Sequence, residues 1–163
     1  MENFINHGIN TELFSLNGIK TYARLVDVYD GDTCKIVFKL FDKYYKFNVR
    51  INGIDTAELY SKNKLLKEKA LEARNRTLEF LSSGKIKVNI NTSSNDIQTL
   101  LDNNIIIVHV NCMEFDKYGR LLVDLQDLNF KSVRSVLLEE KLAYKYVGDT
   151  KLSDEEQIKF FYI

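Results

Sequence analysis

Three short clusters of charged residues are the candidates for chemistry in this chain. They are residues 30–33 (DGDT), Arg50 together with residues 55–58 (DTAE), and residues 116–120 (DKYGR). Carboxylate and carbonyl oxygens are the ligands that hard cations such as Ca²⁺ and Mg²⁺ prefer. Two planar guanidinium groups match a phosphate on which negative charge develops, and a further carboxylate can orient or deprotonate water. A metal ion, two arginines and a glutamate would together suit phosphodiester hydrolysis.

Each cluster taken alone also has an ordinary structural interpretation. Asp and Gly are favoured in hairpin turns, so residues 30–33 and 116–120 could be turns and nothing more. Residues 55–58 could be the end of a strand that leads into a helix, with Thr56 or Ser61 as the N-cap. The case for chemistry rests on the three clusters occurring together. If the fold gathers their acidic residues and two arginines in one place, that concentration of charge would be unusual for a surface with no function.

The elements that must position these clusters are mostly strands. Alternating apolar residues predict strands over 19–30, 34–41, 44–54, 85–90, 105–112 and 121–128. Helical spacing predicts a long amphipathic helix over 61–83 that ends at Ser83-Gly84, and shorter helices over 131–141 and 153–163. Residues 91–104 are polar at both ends and are predicted to form an inserted loop.

This order of elements predicts the fold class. Three meandering strands, a helix and a returning hairpin are typical of an α+β fold built on a five-stranded OB-type Greek-key β-barrel, here with about three helices. Residues 1–17 show no clear period and are predicted to form an N-terminal arm, while residues 18–163 form one domain.

Composition places further bounds on function. The chain has 163 residues, and its 23 Lys and Arg equal its 23 Asp and Glu, so net charge does not indicate a nucleic-acid binder. Residues 62–87 nevertheless hold eight basic and three acidic side chains, a local excess of five that could steer a polyanion. Cys34 and Cys112 are expected to be reduced and buried, and a single disulfide bridge is the alternative.

The sequence also bears on location. No apolar run is long enough for a membrane span, and the first ten residues do not resemble a secretory signal. We therefore expect an intracellular, cytoplasmic protein with no membrane association.

The three clusters occur within longer strings that resemble a known family. VYDGDT at 28–33, RINGIDTAE at 50–58 and EFDKYGRLLVDL at 114–125 are similar to motifs of the staphylococcal nuclease, or thermonuclease-like, family. The resemblance runs from about Tyr22 to Tyr146 and covers most of the chain. It implies an OB barrel with three helices and a monomeric, Ca²⁺-dependent endonuclease that cuts DNA and RNA and leaves 3′-phosphate ends. Mg²⁺ and Mn²⁺ are alternatives to Ca²⁺.

The resemblance also implies roles for individual residues. Asp32, Asp55 and the carbonyl of Thr56 match the metal ligands. Arg50 and Arg120 match the two arginines that stabilise the phosphoryl transition state, and Glu58 matches the glutamate that assists the attacking water. The residues that match substrate contacts are Lys117 and Tyr118, at a terminal phosphate, and Tyr144 and Tyr146, as candidates for base stacking.

Two departures from the family pattern leave alternatives open. Ala57 stands where the family often has proline, and Lys141 stands where it often has glycine, which makes the register of the following tyrosines uncertain. Packing at the barrel edge is the alternative for Tyr144 and Tyr146. A catalytically inactive OB module that binds nucleic acid or protein is the alternative for the whole chain, although such a module has no chemical need for Asp32, Arg50, Asp55, Glu58 and Arg120 together.

Overall fold

A closed five-stranded barrel forms the centre of the protein in the computed structural model, which describes residues 3–163. The barrel strands are β1 (Lys20–Val28), β2 (Thr33–Leu40), β3 (Lys43–Ile51), β5 (Ile106–Phe115) and β6 (Leu121–Gln126). They follow each other around the barrel as β1-β2-β3-β6-β5, and β5 pairs with β1 to close it. Only the β3–β6 pairing is parallel among these strands. The predicted α+β OB-like barrel is confirmed.

Helices and two short strands surround this barrel. The helices are α1 (Lys64–Leu81), α2 (Ser94–Asn103), α3 (Val133–Glu139) and α4 (Asp154–Tyr162), and a short 3₁₀ helix spans Phe4–Asn6. The strands β4 (Ile54–Asp55) and β7 (Tyr144–Lys145) pair with each other outside the barrel. Four helices are therefore present in residues 3–163, one more than the sequence predicted.

The long helix α1 forms where its apolar spacing predicts. Leu66, Ala70, Ala73 and Thr77 are buried along one face of α1. Its N-cap is Asn63, whose side chain accepts from the backbone N–H groups of the following turn, so neither Thr56 nor Ser61 has that role. The helix ends at Leu81 with Ser82 as its C-cap, two residues before the predicted end at Ser83-Gly84, and Gly84 has a positive φ in the turn that follows.

Two predictions between α1 and β5 are wrong. Residues 91–104 contain α2 rather than a loop, because Ser93 and Asp96 form a reciprocal capping box and Ile97 and Leu101 are buried. Residues 85–90 form no strand, although Ile86 is buried. Each strand of the closed barrel already pairs with two neighbours, so the barrel has no free edge to which residues 85–90 could add another strand.

Two further expectations concern the cysteines and membranes. Cys34 and Cys112 are both unpaired and buried, as predicted. Within residues 3–163, no helix has the length and apolar character needed to cross a bilayer.

Candidate active site

The turn between β1 and β2 is held against α1 by its glycine. A Cβ atom added at Gly31 would lie 2.7 Å from the Cβ of Ala73 and 2.7 Å from Cγ2 of Thr56. The hydroxyl of Thr77 donates to the carbonyl oxygen of Gly31 at 2.9 Å. The glycine thus allows the acidic turn to lie directly on the helix, and this contact fixes the position of Asp32 beside it.

Arg50 joins two of the predicted acidic residues. It lies near the end of β3, directly opposite Thr33 in the β2–β3 pairing. Its Nη1 atom lies 2.7 Å from Oδ2 of Asp32, and its Nη2 atom lies 2.8 Å from Oδ1 of Asp55. All three of these charged residues are buried, which makes the ion pairs strong and the positions of their side chains well defined.

Burial and mutual repulsion alter the acidity of this cluster. Burial, followed by the nearby charge of Asp32, raises the pKa of Asp30 to about 8. Burial also raises the pKa of Asp32, against the opposing effect of the Arg50 guanidinium. For Arg50 burial acts to lower the pKa, but Asp32 and Asp55 raise it overall, so the guanidinium stays charged.

Glu58 makes an ion pair that the sequence did not predict. The ammonium of Lys151 lies 2.8 Å from Oε1 of Glu58 and 3.1 Å from Oδ1 of Asp55. Lys151 precedes α4, so a residue close to the C-terminus reaches the acidic cluster. No family string contains this lysine, and its position in a polar stretch gave no signal that it would belong to the site.

The turn between β5 and β6 positions the second arginine. The Asp116 carboxylate accepts from the backbone N–H of Arg120 at 2.9 Å and from its Nε at 2.8 Å. Burial acts to raise the pKa of Asp116, but these hydrogen bonds from Arg120, together with one from the backbone of Tyr118, lower it overall. Asp116 and Arg120, at the two ends of this five-residue turn, therefore hold the arginine in place by an ion pair. Lys117 and Tyr118 between them stay exposed.

Two adjoining cavities bring the separate segments together. A cavity of about 320 Å³ is lined by residues that include Asp32, Arg50, Glu58, Arg120 and Lys151. A second cavity of about 350 Å³ lies beside it. The residues that line both cavities are Arg50, Lys117, Tyr118, Arg120 and Tyr146. The predicted catalytic residues and most of the predicted substrate contacts therefore lie around one connected space.

The two candidate stacking tyrosines have different surroundings. Tyr146 lines both cavities, and its ring centroid lies 5.6 Å from the guanidinium carbon of Arg50. Tyr144 is only 5% exposed, and its hydroxyl donates to Oδ2 of Asp55 at 2.5 Å. The structure therefore places Tyr146 at the shared cavities and Tyr144 in a buried position beside Asp55, and base stacking by either tyrosine stays a prediction. Tyr144 contacts Oδ2 of Asp55, whereas Arg50 and Lys151 contact Oδ1.

The predicted metal ligands fit a hard cation by their chemistry. Asp32 and Asp55 offer carboxylate oxygens, and the backbone of Thr56 lies next to both of them, since its N–H donates to Oδ2 of Asp32 at 3.2 Å. Among the described residues, Arg50 and Lys151 are the cations that form ion pairs with Asp32, Asp55 and Glu58, and Asp30 lies beside Asp32. No three His, Cys, Asp or Glu side chains among the described residues are arranged to share one ion. The fit is thus to a cation held by one or two carboxylates, with water and phosphate completing its coordination.

A comparison with curated proteins agrees with this geometry. The chain is 28% identical over 144 residues to Endonuclease YncB of Bacillus subtilis (strain 168). The aligned region covers 83% of this chain and 57% of that protein, so the chain spans little more than half the length of its relative. No family model matches the chain. This similarity and the five-stranded barrel both support the resemblance to the staphylococcal nuclease family.

The basic segment after the second motif, residues 62–87, differs from the expectation. Arg74 is buried and donates to the carbonyl oxygen of Thr92, and Arg76 binds both oxygens of Glu140. Lys69 pairs with Glu72, and Lys87 pairs with Glu79. Four of the eight cations in residues 62–87 therefore already have partners within the protein. This segment should attract a polyanion less strongly than its charge count predicted.

Proposed function

We propose that the chain is a metal-dependent nuclease that hydrolyses phosphodiester bonds of DNA, RNA or both. One observation carries the proposal: Arg50, Glu58 and Arg120 come from three separate segments and line one cavity beside the buried Asp32. That cavity pairs cations that suit a phosphate with a carboxylate that suits a water molecule. The relative named an endonuclease supports the same class of activity.

The proposed reaction assigns a distinct task to each group. Glu58 orients a water molecule and accepts its proton as the water oxygen attacks phosphorus. The P–O5′ bond then breaks, the 5′-oxygen leaves and takes up a proton, and the other product keeps a 3′-phosphate. Arg50 and Arg120 bind the phosphoryl oxygens as their charge increases, which lowers the barrier more than it strengthens binding of the substrate.

The proposed cofactor is Ca²⁺, with Mg²⁺ or Mn²⁺ as alternatives, held by Asp32, Asp55 and the carbonyl of Thr56. A bound divalent cation supplies Lewis-acid polarisation of a phosphoryl oxygen. Arg50 keeps Asp32 and Asp55 in place through its two nitrogen atoms, and Tyr144 holds the second oxygen of Asp55. These contacts orient the two carboxylates before a cation or substrate arrives.

The second cavity supports the proposed mode of substrate binding. Lys117 and Tyr118 lie at its rim, where an ammonium and a phenol would contact a terminal phosphate. Tyr146 offers a ring face beside Arg50 on which a base would stack. The proposal is that a monomer binds one strand with the scissile phosphate between the two arginines.

The decisive experiment compares the wild type with Glu58→Gln. Plasmid, single-stranded DNA and RNA are each incubated with Ca²⁺, Mg²⁺, Mn²⁺ or EDTA, and the end groups of the products are identified. We expect ion-dependent cutting that Glu58→Gln slows by about 10²-fold or more, since the carboxylate that handles the proton is lost. Glu12→Gln, which alters an exposed glutamate in the N-terminal arm, is the matched control and should cut like the wild type.

The alternative function gives a different result in the same experiment. An inactive OB module would cut nothing with any ion, yet would retard a labelled single strand in a salt-sensitive manner. That outcome would reject the nuclease and retain only binding.

A further inference from the structure

We propose that Tyr29 and Tyr60 bind the base of the nucleotide that keeps the 3′-phosphate after cleavage. We call these two side chains the tyrosine pair. The inference rests on the nuclease activity proposed above and adds a second base site to it, across the scissile phosphate from Tyr146. It predicts that the protein recognises two successive nucleotides of its substrate rather than one.

The tyrosine pair lies beside the candidate active site and is accessible to solvent. Tyr29 lines the 320 Å³ cavity together with Glu58 and is 39% exposed. Its backbone N–H donates to the carbonyl oxygen of Thr33 at 3.0 Å, which fixes it at the start of the acidic turn. A hydrogen bond with Tyr60, followed by burial, raises the pKa of Tyr29 to about 12. The two phenol groups are therefore neighbours.

A short turn sets the position of Tyr60 relative to Glu58. Both lie within residues 58–61, where the backbone N–H of Ser61 donates to the carbonyl oxygen of Glu58 at 3.1 Å. Between them, Leu59 packs against the apolar cluster between α1 and α4. Tyr60 is 83% exposed, so this turn buries the leucine and presents the tyrosine ring to solvent. An exposed aromatic ring of this kind offers a face on which a base can stack.

The direction of attack assigns the tyrosine pair to one of the two nucleotides. Glu58 and Tyr29 line the 320 Å³ cavity but not the 350 Å³ cavity, which Tyr146 also lines. In an in-line displacement the attacking water and the leaving oxygen lie on opposite sides of phosphorus. The leaving nucleoside therefore extends away from Glu58 into the 350 Å³ cavity. The end lined by Tyr29 is left for the nucleotide that keeps the phosphate.

Charge next to the tyrosine pair favours a nucleotide over an uncharged aromatic ligand. Lys62 and Lys64 follow Tyr60 in the chain, are exposed, and make no ion pair within residues 3–163. The carboxylate of Glu58 lies nearby, but it is paired with Lys151 at 2.8 Å. Aromatic rings with adjacent cations are the combination that binds a base and its phosphate together.

Removal of one base from a minimal substrate tests the inference directly. The first substrate is a thymidine dinucleotide with a terminal 3′-phosphate. The second is identical except that the residue on the 5′ side is abasic. The same P–O5′ bond breaks in both and the same nucleoside leaves, so they differ only in the base that the tyrosine pair would bind. We compare kcat/KM for the two substrates with the active ion present.

Three variants accompany the wild type in this comparison. Tyr60→Ser removes one ring of the pair, and Tyr60→Phe keeps the ring but removes the hydroxyl. The matched control is Tyr44→Ser, because Tyr44 is 74% exposed. It lies six residues from Arg50 along β3, which at roughly 3.3 Å per residue places it about 20 Å from the cavity. Thermal melts show whether all three variants fold.

We expect the wild type to cut the complete dinucleotide about tenfold more efficiently than the abasic one, because only the complete one can stack on the pair. Tyr60→Ser should lose this preference, through a lower rate on the complete dinucleotide. Tyr60→Phe should retain the preference, since the ring face is what stacks. Tyr44→Ser should show the preference of the wild type.

Two results would overturn the assignment of Tyr60. Equal losses on both substrates in Tyr60→Ser would mean that the tyrosine acts on the chemistry through Glu58 and does not touch the base. Loss of the preference in Tyr60→Phe would mean that the hydroxyl, rather than the ring face, makes the contact.

The two proposals fail in distinguishable ways. A wild type that cuts neither dinucleotide with any ion would reject the proposed nuclease. NMR titrations with both dinucleotides in EDTA would still decide the base site, since the complete one should bind more tightly to the wild type and equally to Tyr60→Ser. Normal cutting by the wild type with no preference for the complete dinucleotide would reject only the tyrosine pair.

Discussion

The ammonium of Lys151 lies 2.8 Å from Oε1 of Glu58, although the two residues are 93 positions apart in the chain. The same ammonium lies 3.1 Å from Oδ1 of Asp55. One cation from the segment before α4 therefore holds the proposed water-activating carboxylate beside a proposed metal ligand. Lys151 thereby connects the C-terminal part of the chain to the candidate active site.

Lys151→Met should show separately what this lysine does to Glu58 and what it does to Asp55. Loss of the ion pair leaves Glu58 free to rotate, and we expect the cleavage rate to fall about tenfold. Loss of a positive charge beside Asp55 should strengthen Ca²⁺ binding several-fold, since like charges repel. Titration calorimetry with Ca²⁺ and single-turnover cleavage measure the two changes. Lys145→Met removes an exposed lysine nearby and should alter neither. Weaker or unchanged Ca²⁺ binding in Lys151→Met would contradict this assignment.

Arg120→Ala should reduce the rate far more than it reduces nucleotide binding. The guanidinium lines the proposed catalytic cavity and would act where charge develops, so we expect the rate to fall by about 10²–10³-fold. Lys117→Ala is the contrasting variant, because that exposed ammonium should mainly bind a terminal phosphate and so affect affinity. Rates and nucleotide dissociation constants are measured for both. Equal losses of rate and affinity in Arg120→Ala would mean that the arginine only binds.

Gly31→Ala should damage stability and activity together. The new methyl group would lie 2.7 Å from Ala73 and from Thr56, so the acidic turn or α1 must shift. We expect a loss of about 1–3 kcal/mol in the free energy of unfolding, as for other overpacked sites. Urea denaturation and cleavage assays measure both effects. Gly8→Ala is the control, because nothing lies within 4 Å of a Cβ atom there. A Gly31→Ala protein with wild-type stability would show that the turn adapts freely.

The ion pair between Arg76 in α1 and Glu140, the C-cap of α3, should make stability depend on pH. The hydrogen bond from Arg76 lowers the pKa of Glu140 below its ordinary value of 4.5. A carboxyl whose pKa is lowered by folding stabilises the protein above its unfolded pKa and loses that contribution as the pH falls through the folded pKa.

Glu140→Gln removes this dependence. Because the pair is partly exposed, we expect the variant to be less stable by about 0.5 kcal/mol at neutral pH. The difference should vanish once the pH falls below the folded pKa of Glu140. Urea denaturation of both proteins across the acidic range measures it. A difference that persists in strong acid would mean that packing, rather than charge, explains the effect.

Several features of the fold could be predicted because they depend on local pattern. The alternation of Tyr45, Phe47, Val49 and Ile51 with polar residues marked β3, and helical spacing marked α1. The missed helix α2 also carried a local signal, since Ser93 and Asp96 have capping-box spacing and Ile97 and Leu101 lie one turn apart. The strand wrongly predicted at 85–90 shows where such patterns fail. Alternating apolar residues do not reveal whether a neighbouring strand is available for pairing.

The sequence by itself determined which chemical groups are present and how they are spaced within each motif. Asp32, Arg50 and Arg120 lie at turns or strand ends, where short-range pairing fixes their positions. Only the tertiary structure decided which distant groups meet them. Tyr144 binds Asp55 because β7 pairs with β4, and Lys151 reaches Glu58 across 93 positions. Such contacts depend on how the last segments pack onto α1, and packing between distant segments leaves no periodic signal in the residues that take part.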